Sequence, residues 1–411
     1  MWRVRLKLQT SAAVLLANIF DDGTRQNEWK TSTFQPQKQP FLRTDFWQVH
    51  AAQSANLDQK GDVTRSGAVS KLLQLCEQIQ VQSWETAISL DRLKTAFKIN
   101  EGSFGEVYAI RSKDVPTEYN VLKVVPIDGA VEINGFEQMT STDILPELLC
   151  SQALTKLWEE GKENRTKCFI HLKKAYLVKG DYHPHLIAAW YTYDKQEKSS
   201  NGDPTQFPDD QLFLLFEYEF GGESLDHFEL SSSSQLLSIV AQVATALAAA
   251  ECGLKFEHRD LHLGNILVFL KEMSKMHRAV VNNKTIEFND ARVSVRLIDF
   301  TLARFDYKKQ NFHYQFEEDD PIFEGDGSEA HHQIYRGMRA CTREDWKGFN
   351  PVTNLLWIEY LLWFCLQHEE DANTKAYQLL DSFLKRVRKC WSSTELVNSK
   401  EFNDIVEHLN A

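Results

Sequence analysis

A chain of 411 residues with 43% hydrophobic and 25% charged side chains carries enough apolar material for at least one large core, which excludes a largely disordered protein. Its formal net charge of -12 works against direct nucleic-acid binding, which needs concentrated cations, and favours basic peptides as partners. Seven scattered cysteines with no Cys-x-x-Cys fit buried thiols in a reducing compartment, not a disulfide framework or a zinc site.

The chain opens on Arg3, Arg5 and Lys7 ahead of a short apolar run, Ala12 to Leu16. Asn18 interrupts it and no small-residue cleavage pattern follows, so a local helix or disordered lead is expected there, not a signal peptide. No apolar run approaches the roughly 20 residues that cross a bilayer, and a soluble intracellular protein without membrane contact is expected. Residues 1–83, rich in Gln, Ser, Thr and Asp, read as an extension that is partly disordered or loosely docked. From Trp84 the pattern turns globular. Phe97 to Ile110 predicts two strands around a Gly-containing turn at Glu101 to Gly105, and Tyr119 to Pro126 predicts a third. Thr142 to Trp158 has the spacing of an amphipathic helix, through Leu145, Leu148, Leu149, Leu154 and Leu157. Two more strands are predicted at Leu186 to Tyr193 and at Leu212 to Glu219. Serines 231–234 offer an N-cap to a helix over Gln235 to Gly253, whose apolar residues lie nearly all round it and predict burial. Val293 to Ile298 reads as a strand, Asp299 to about Glu329 as loop, and Asn354 to Leu366, Ala376 to Val387 and Glu401 to Leu409 as helices. Strands first and helices later predict an α+β protein with a small β-rich lobe, about 84–219, and a larger helical lobe, about 220–411.

After the long helix stands His258-Arg259-Asp260-Leu261-His262-Leu263-Gly264-Asn265, a His-Arg-Asp pattern with Asn five positions after the Asp. Phosphoryl transfer to a hydroxyl needs this spacing, with an Asp to orient the hydroxyl and accept its proton and an Asn turned back towards a metal ion. A solvated loop is the bland alternative for the triplet alone. Asp299-Phe300-Thr301, at the end of a strand, offers a second hard oxygen ligand for Mg2+ bridging ATP phosphates, and a turn-capping Asp is its alternative. Upstream, Asn100-Glu101-Gly102-Ser103-Phe104-Gly105-Glu106-Val107 is similar to a Gly-rich phosphate-covering loop with Asn100 in place of the first Gly, although an ordinary hairpin turn uses the same residues. On the next strand Lys123 is placed to meet the α- and β-phosphates, and Glu147 on the following helix to fix it, although an exposed strand Lys and a first-turn helix Glu are commonplace otherwise.

Together these segments resemble the haspin-like protein kinases. The resemblance rests on Glu257 to Asn265, on Ile298 to Arg304 with Thr301 where most kinases have Gly and with no Ala-Pro-Glu after it, and on Phe216-Glu217-Tyr218-Glu219-Phe220-Gly221-Gly222. Ile144 to Glu147, and Phe323 to Gly327 followed by Ile334-Tyr335-Arg336, extend it over roughly residues 95 to 370. It implies a bilobal kinase fold across 84–411, with ATP and Mg2+ held between the Gly102 to Gly105 loop and Asp299. Phe216 would lie beside the adenine, and Glu217 and Tyr218 would give it backbone hydrogen bonds. Asp260 would be the base, supported by Lys123 and Glu147, with Asn265 and Asp299 as metal ligands. The resemblance further implies a substrate threonine near the amino terminus of histone three, an activation segment ordered without phosphorylation, and action in the nucleus on chromosomes, with cytoplasm or spindle as other places. A monomer is expected. Here the segment that would hold the tail carries Glu317, Glu318, Asp319 and Asp320, with Asp326 nearby, complementary to a free amino group, Arg and Lys. An acidic run is otherwise a solvated loop.

Three departures bear on activity: Asn100 restricts positive φ, Pro321 shortens the acidic stretch, and Gln333 stands where related kinases have an Asp that braces the catalytic loop. None removes a proton-transfer or metal-binding group. That favours an active enzyme over a pseudokinase-like chromatin or spindle adaptor, and the acidic segment suits a peptide better than a small-molecule substrate.

Overall fold

The computed structural model describes residues 65–411 apart from Ser103, residues 325–329 and Glu370, so the lead and most of the extension expected over 1–83 lie outside the described residues. From residue 65 the chain is packed. Helix α1 (Arg65–Leu75) buries Ala68 and Leu72 completely, Cys76 follows at 2% exposure, and Gln82 bridges to Val178. The boundary expected at residue 84 therefore falls inside the packed unit. Ala68, Leu72 and Cys76, backed by the partly buried Val69, Leu73 and Leu75, seal this helix against the core.

Strands β1 (Phe97–Gly102), β2 (Gly105–Arg111), β3 (Tyr119–Ile127), β4 (Leu172–Lys179) and β5 (Leu212–Glu219) form an antiparallel sheet in the order β1-β2-β3-β5-β4. Period-two alternation gives the sheet two differently used faces. Leu122 and Val124 point into a small core closed by Trp84, Ile88 and Leu93, while Val121 and Lys123 face the other way, towards α2 (Leu145–Thr155). The strand expected at Leu186 to Tyr193 is instead part of helix α3 (Pro184–Glu197). Pro184 at the first helical position, the His183 cap, and burial of Leu186, Ala189 and Trp190 at three- and four-residue spacing all select a helix.

Beyond β5 come β6 (Glu223–Ser224) and α4 (Ser233–Leu254), buried from Gln235 through Glu251. Against the sequence expectation, α4 is by length and composition apolar enough to cross a membrane, but that surface is used inside the fold. Strands β7 (Ile266–Leu270) and β10 (Val293–Leu297) pair beside β6, and β8 (Met276–Val281) with β9 (Lys284–Asn289) forms a hairpin between them in sequence. The stretch expected to be loop after Asp299 holds a second hairpin, β11 (Arg304–Tyr307) with β12 (Gln310–His313), closed by Phe305 stacked on Phe312 at 5.0 Å. Helices α5 (Ala330–Thr342), α6 (Val352–His368), α7 (Lys375–Val387) and α8 (Lys400–Asn410) complete an α+β fold whose sheets are antiparallel.

Candidate active site

Gly102 pairs with Gly105 across a two-residue turn, which puts the phosphate-covering candidate at the tip of the β1–β2 hairpin. Gly105 has to be glycine, because an added Cβ would lie 2.3 Å from the Val124 carbonyl oxygen. Asn100 does not adopt positive φ, and its Oδ1 accepts the Glu101 amide at 2.9 Å, so the missing first glycine strains nothing. Ser103 lies outside the described residues, Phe104 meets Phe136 edge-on at 6.5 Å, and Val107 stands opposite Lys123. A side strap holds the hairpin. Asn201 Nδ2 donates to the carbonyls of Gly102 at 3.1 Å and Gly105 at 3.3 Å and to Glu106 Oε1 at 3.1 Å. Ser199 Oγ and the Ser200 amide donate to Glu101 at 2.6 and 2.7 Å. This strap left no mark in the sequence, because its residues lie some hundred positions from the hairpin in an ordinary polar loop.

Lys123 Nζ donates to Glu147 Oε1 at 2.6 Å, the pair expected between strand and helix. Burial works against the ammonium, yet Glu147 and Asp299 hold it above its usual pKa. Phe216 is fully buried with its ring 5.7 Å from Lys123 Nζ, and Tyr218 lies on the same face, its hydroxyl 3.1 Å from Ser151 Oγ of α2. Glu217 is different. It pairs with Leu122 on one side and Lys174 on the other, and its carboxylate faces away from Lys123, towards Arg92 Nη2 and Asn120 Nδ2, each at 2.5 Å, and the Tyr176 hydroxyl at 3.1 Å. A central strand commits the backbone of Glu217 and Tyr218 to its neighbours. The open backbone begins only after Glu219, whose amide donates to His171, and runs through Phe220, Gly221 and Gly222. Gly222 has φ of +102° and no room for a Cβ, which would sit 2.2 Å from Val268 O.

The catalytic-loop candidate is enclosed: Glu257, His258 and Arg259 are fully buried and Asp260 is 6% exposed. Arg259 at φ +66° and Asp299 at φ +62° hold left-handed backbone that a non-glycine residue keeps only where its surroundings enforce it. The Arg259 guanidinium donates to Glu257 Oε2 at 3.1 Å and to the Trp346 carbonyl at 2.7 Å, so an internal carboxylate balances its charge. His258 donates its backbone amide to Asn354 Oδ1 at 3.0 Å, and Asn354 Nδ2 donates to the carbonyl of Phe256 at 2.9 Å and to Glu251 Oε1 at 3.0 Å. Asn354 thus provides the brace that the sequence suggested was missing at Gln333. Gln333 is exposed on α5, whereas a brace has to rise from the helix packed beneath the loop, which is α6. Burial pushes the His258 imidazole down to about 4, so it is neutral, and its Nε2 donates to the carbonyl of Ile298 at 3.1 Å, tying the loop to the residue before Asp299.

Asn265 Nδ2 donates to the Asp260 carbonyl at 2.8 Å, which leaves Oδ1 to meet a cation. Asp299 Oδ1 accepts the Thr301 hydroxyl at 2.7 Å and amide at 3.2 Å, a hydroxyl contact that glycine at 301 could not give. Burial alone would raise Asp299, but Lys123 and the Thr301 bonds hold it below the ordinary carboxylate range. Among the described residues no group of three His, Cys, Asp or Glu is arranged to hold a metal. Asp299 and Asn265 supply two hard oxygens and leave the remaining positions to phosphate or water, the pattern that suits Mg2+.

Of the acidic segment, Glu318 and Asp319 are exposed and Glu317 is half-buried. Asp320 is 2% exposed, and its Oδ1 accepts the Ile322 amide at 3.0 Å as the cap of the turn Pro321–Phe323. It therefore leaves the set of groups open to a substrate, and Pro321 is the first residue of the turn it caps. Asp326 lies outside the described residues.

Residues 55–408 match the family model described as a haspin like kinase domain. The serine/threonine-protein kinase haspin homolog of Drosophila melanogaster is 32% identical over 77% of this chain and 56% of its own length. The serine/threonine-protein kinase haspin of Bos taurus is 33% identical over 81% of this chain and 43% of its own, and that of Mus musculus 36% over 72% and 39%. The chain spans about half the length, or less, of these relatives.

Proposed function

The chain belongs to the haspin-like serine/threonine protein kinases, and from that premise we propose that it transfers the γ-phosphoryl group of Mg-ATP to a threonine hydroxyl in a basic protein tail, the amino terminus of histone three being the expected one. The observation that carries this reading is the closed Lys123–Glu147 pair at 2.6 Å beside Asp299. Two carboxylates hold one ammonium where α- and β-phosphates would lie, an arrangement for which a binding-only adaptor has no physical use.

In the reaction the threonine oxygen attacks the γ-phosphorus as the bond from that phosphorus to the bridging oxygen breaks; ADP departs, and the threonine proton passes to Asp260. Lys123 offsets phosphate charge, and the β1–β2 hairpin covers the phosphates from water. Asn265 and Asp299 would hold Mg2+, which neutralises charge building on the phosphates. The base would meet the open backbone of Phe220 to Gly222. We read the sheet-rich and helix-rich halves as two lobes with the nucleotide between them, a reading supported by the five-stranded sheet in one and the long buried helix in the other. The exposed Glu318 and Asp319 support a cationic tail as substrate, and action on chromosomes in the nucleus follows from that substrate alone.

The test is incubation of the purified chain with Mg-ATP and a histone-three amino-terminal peptide. A mass gain of one phosphoryl group on a threonine is expected, together with a severalfold higher peptide KM for Asp319→Asn that raised salt diminishes. No transfer by the wild type overturns the reading.

A further inference from the structure

Both oxygens of the Asp260 carboxylate are engaged. Oδ2 lies 3.3 Å from Asn265 Nδ2 and 4.0 Å from His262 Nε2. Oδ1 accepts the hydroxyl of Tyr335 on α5, seventy-five positions away in the chain. Tyr335 is 1% exposed, and its ring meets Trp357 edge-on at 5.4 Å and His331 at 6.1 Å. A phenol has one proton to donate, and here it goes to the one carboxylate that has to receive another proton from the substrate. A hydrogen bond to a charged acceptor is short, strong and directional, so it fixes the rotation of the carboxylate and with it the lone pair that meets an incoming hydroxyl. The same helix reaches the acidic segment, where Arg339 Nη1 donates to the carbonyl of Glu318 at 3.0 Å.

We propose that Tyr335 is the positioning residue that aims Asp260 for proton transfer, acting through the carboxylate without touching the substrate. The proposal rests on the reading of Asp260 as the base and adds what orients it. Helix α5 then sets two things together, the aim of the base through Tyr335 and the path of the acidic segment through Arg339.

Tyr335→Phe keeps the ring and its packing and removes only the hydroxyl. With the full chain, Mg-ATP and the histone-three peptide, kcat is expected to fall about tenfold or more, as for loss of a hydrogen bond to a charged group. Peptide KM, Mg-ATP affinity titrated without peptide, and Tm are expected to stay close to wild type. Tyr335→Leu, which also loses the ring, is expected to lose stability as well, separating packing from aim. An unchanged kcat in Tyr335→Phe, or a fall in kcat that comes only with a lower Tm and raised KM for both substrates, overturns the proposal. Absence of transfer by the wild type overturns the assignment of Asp260 itself, and this proposal with it.

Discussion

The loop Glu257 to Asn265 is gripped from beneath by fully buried groups, Asn354 under His258 and Glu257 against Arg259, whereas the β1–β2 hairpin is fastened at its side by a strap that runs from the exposed Ser200 through the half-buried Ser199 to the buried Asn201. The contrast separates two mechanical needs. Groups that hold a proton acceptor and a cation must keep their geometry, and a buried hydrogen bond with no competing water does that. A hairpin that covers phosphates has to let a nucleotide in and out, and bonds that water can replace allow local opening at small cost.

The sharpest way to separate chemistry from architecture is Asp299→Asn, which removes charge from a site whose fold depends on other groups. Phosphoryl transfer is expected to drop at least about a hundredfold with Tm nearly unchanged; equal activity would sink the kinase reading, and unfolding would make Asp299 architectural. Lys123→Ala should behave alike. Asn354→Ala attacks the grip on the catalytic loop, leaving the His258 amide, the Phe256 carbonyl and Glu251 without their amide partner. A loss of about 3 kcal/mol in urea unfolding is expected, and a loss no larger than that of an exposed Asn would deny the brace.

Acid should also weaken the fold through two imidazoles, His258 in the catalytic loop and His277 on β8. Burial depresses His258 to about 4 and His277 to about 3, from an ordinary value near 6.5. Both are neutral in the fold, while the unfolded chain takes up their protons below about pH 6.5, so their contribution is complete above that pH and is lost as pH falls towards 4. Tm is expected to decline by several degrees from pH 7 to pH 5, and a flat profile would argue against neutral buried imidazoles. The smallest effect is expected for Asn201→Ala. The Gly102 carbonyl it holds is only part-buried and can turn to water, so ATP KM should rise only about threefold to tenfold, with peptide KM nearly constant and a small fall in Tm from the buried bonds to Gly105 and Glu106. An effect on kcat alone would show that the strap does not govern the hairpin's hold on nucleotide.

Much of the site was legible because its chemistry fixes local spacing. Lys123, Glu147, Asp260, Asn265 and Asp299 each sit in short patterns of strand, turn or helix start, and the hairpin around Gly105 and the buried helix α4 declare themselves by period. Errors arose where one pattern admits two structures or where the deciding contact is remote. Leu186 to Tyr193 carries apolar residues compatible with either period until Pro184 and His183 are weighed as a helix start. Glu217 and Tyr218, expected to give the adenine backbone hydrogen bonds, both stand inside a strand paired on its two sides, and the Glu217 carboxylate turns to Arg92. Asp320 looks like one charge of a run and is a buried cap.

The sequence by itself indicated most of the strands and helices and the candidate groups for phosphoryl and proton transfer, since these follow from residue type and near-neighbour spacing. Only the tertiary structure decided what holds those groups in place: Asn201 on the glycine carbonyls, Asn354 beneath His258, Thr301 on Asp299, and Tyr335 on Asp260. Most of these partners stand tens to a hundred residues away in unremarkable polar or aromatic positions. A hydrogen bond depends on distance and direction in space, and chain periodicity carries information about neither once the partner lies on another element.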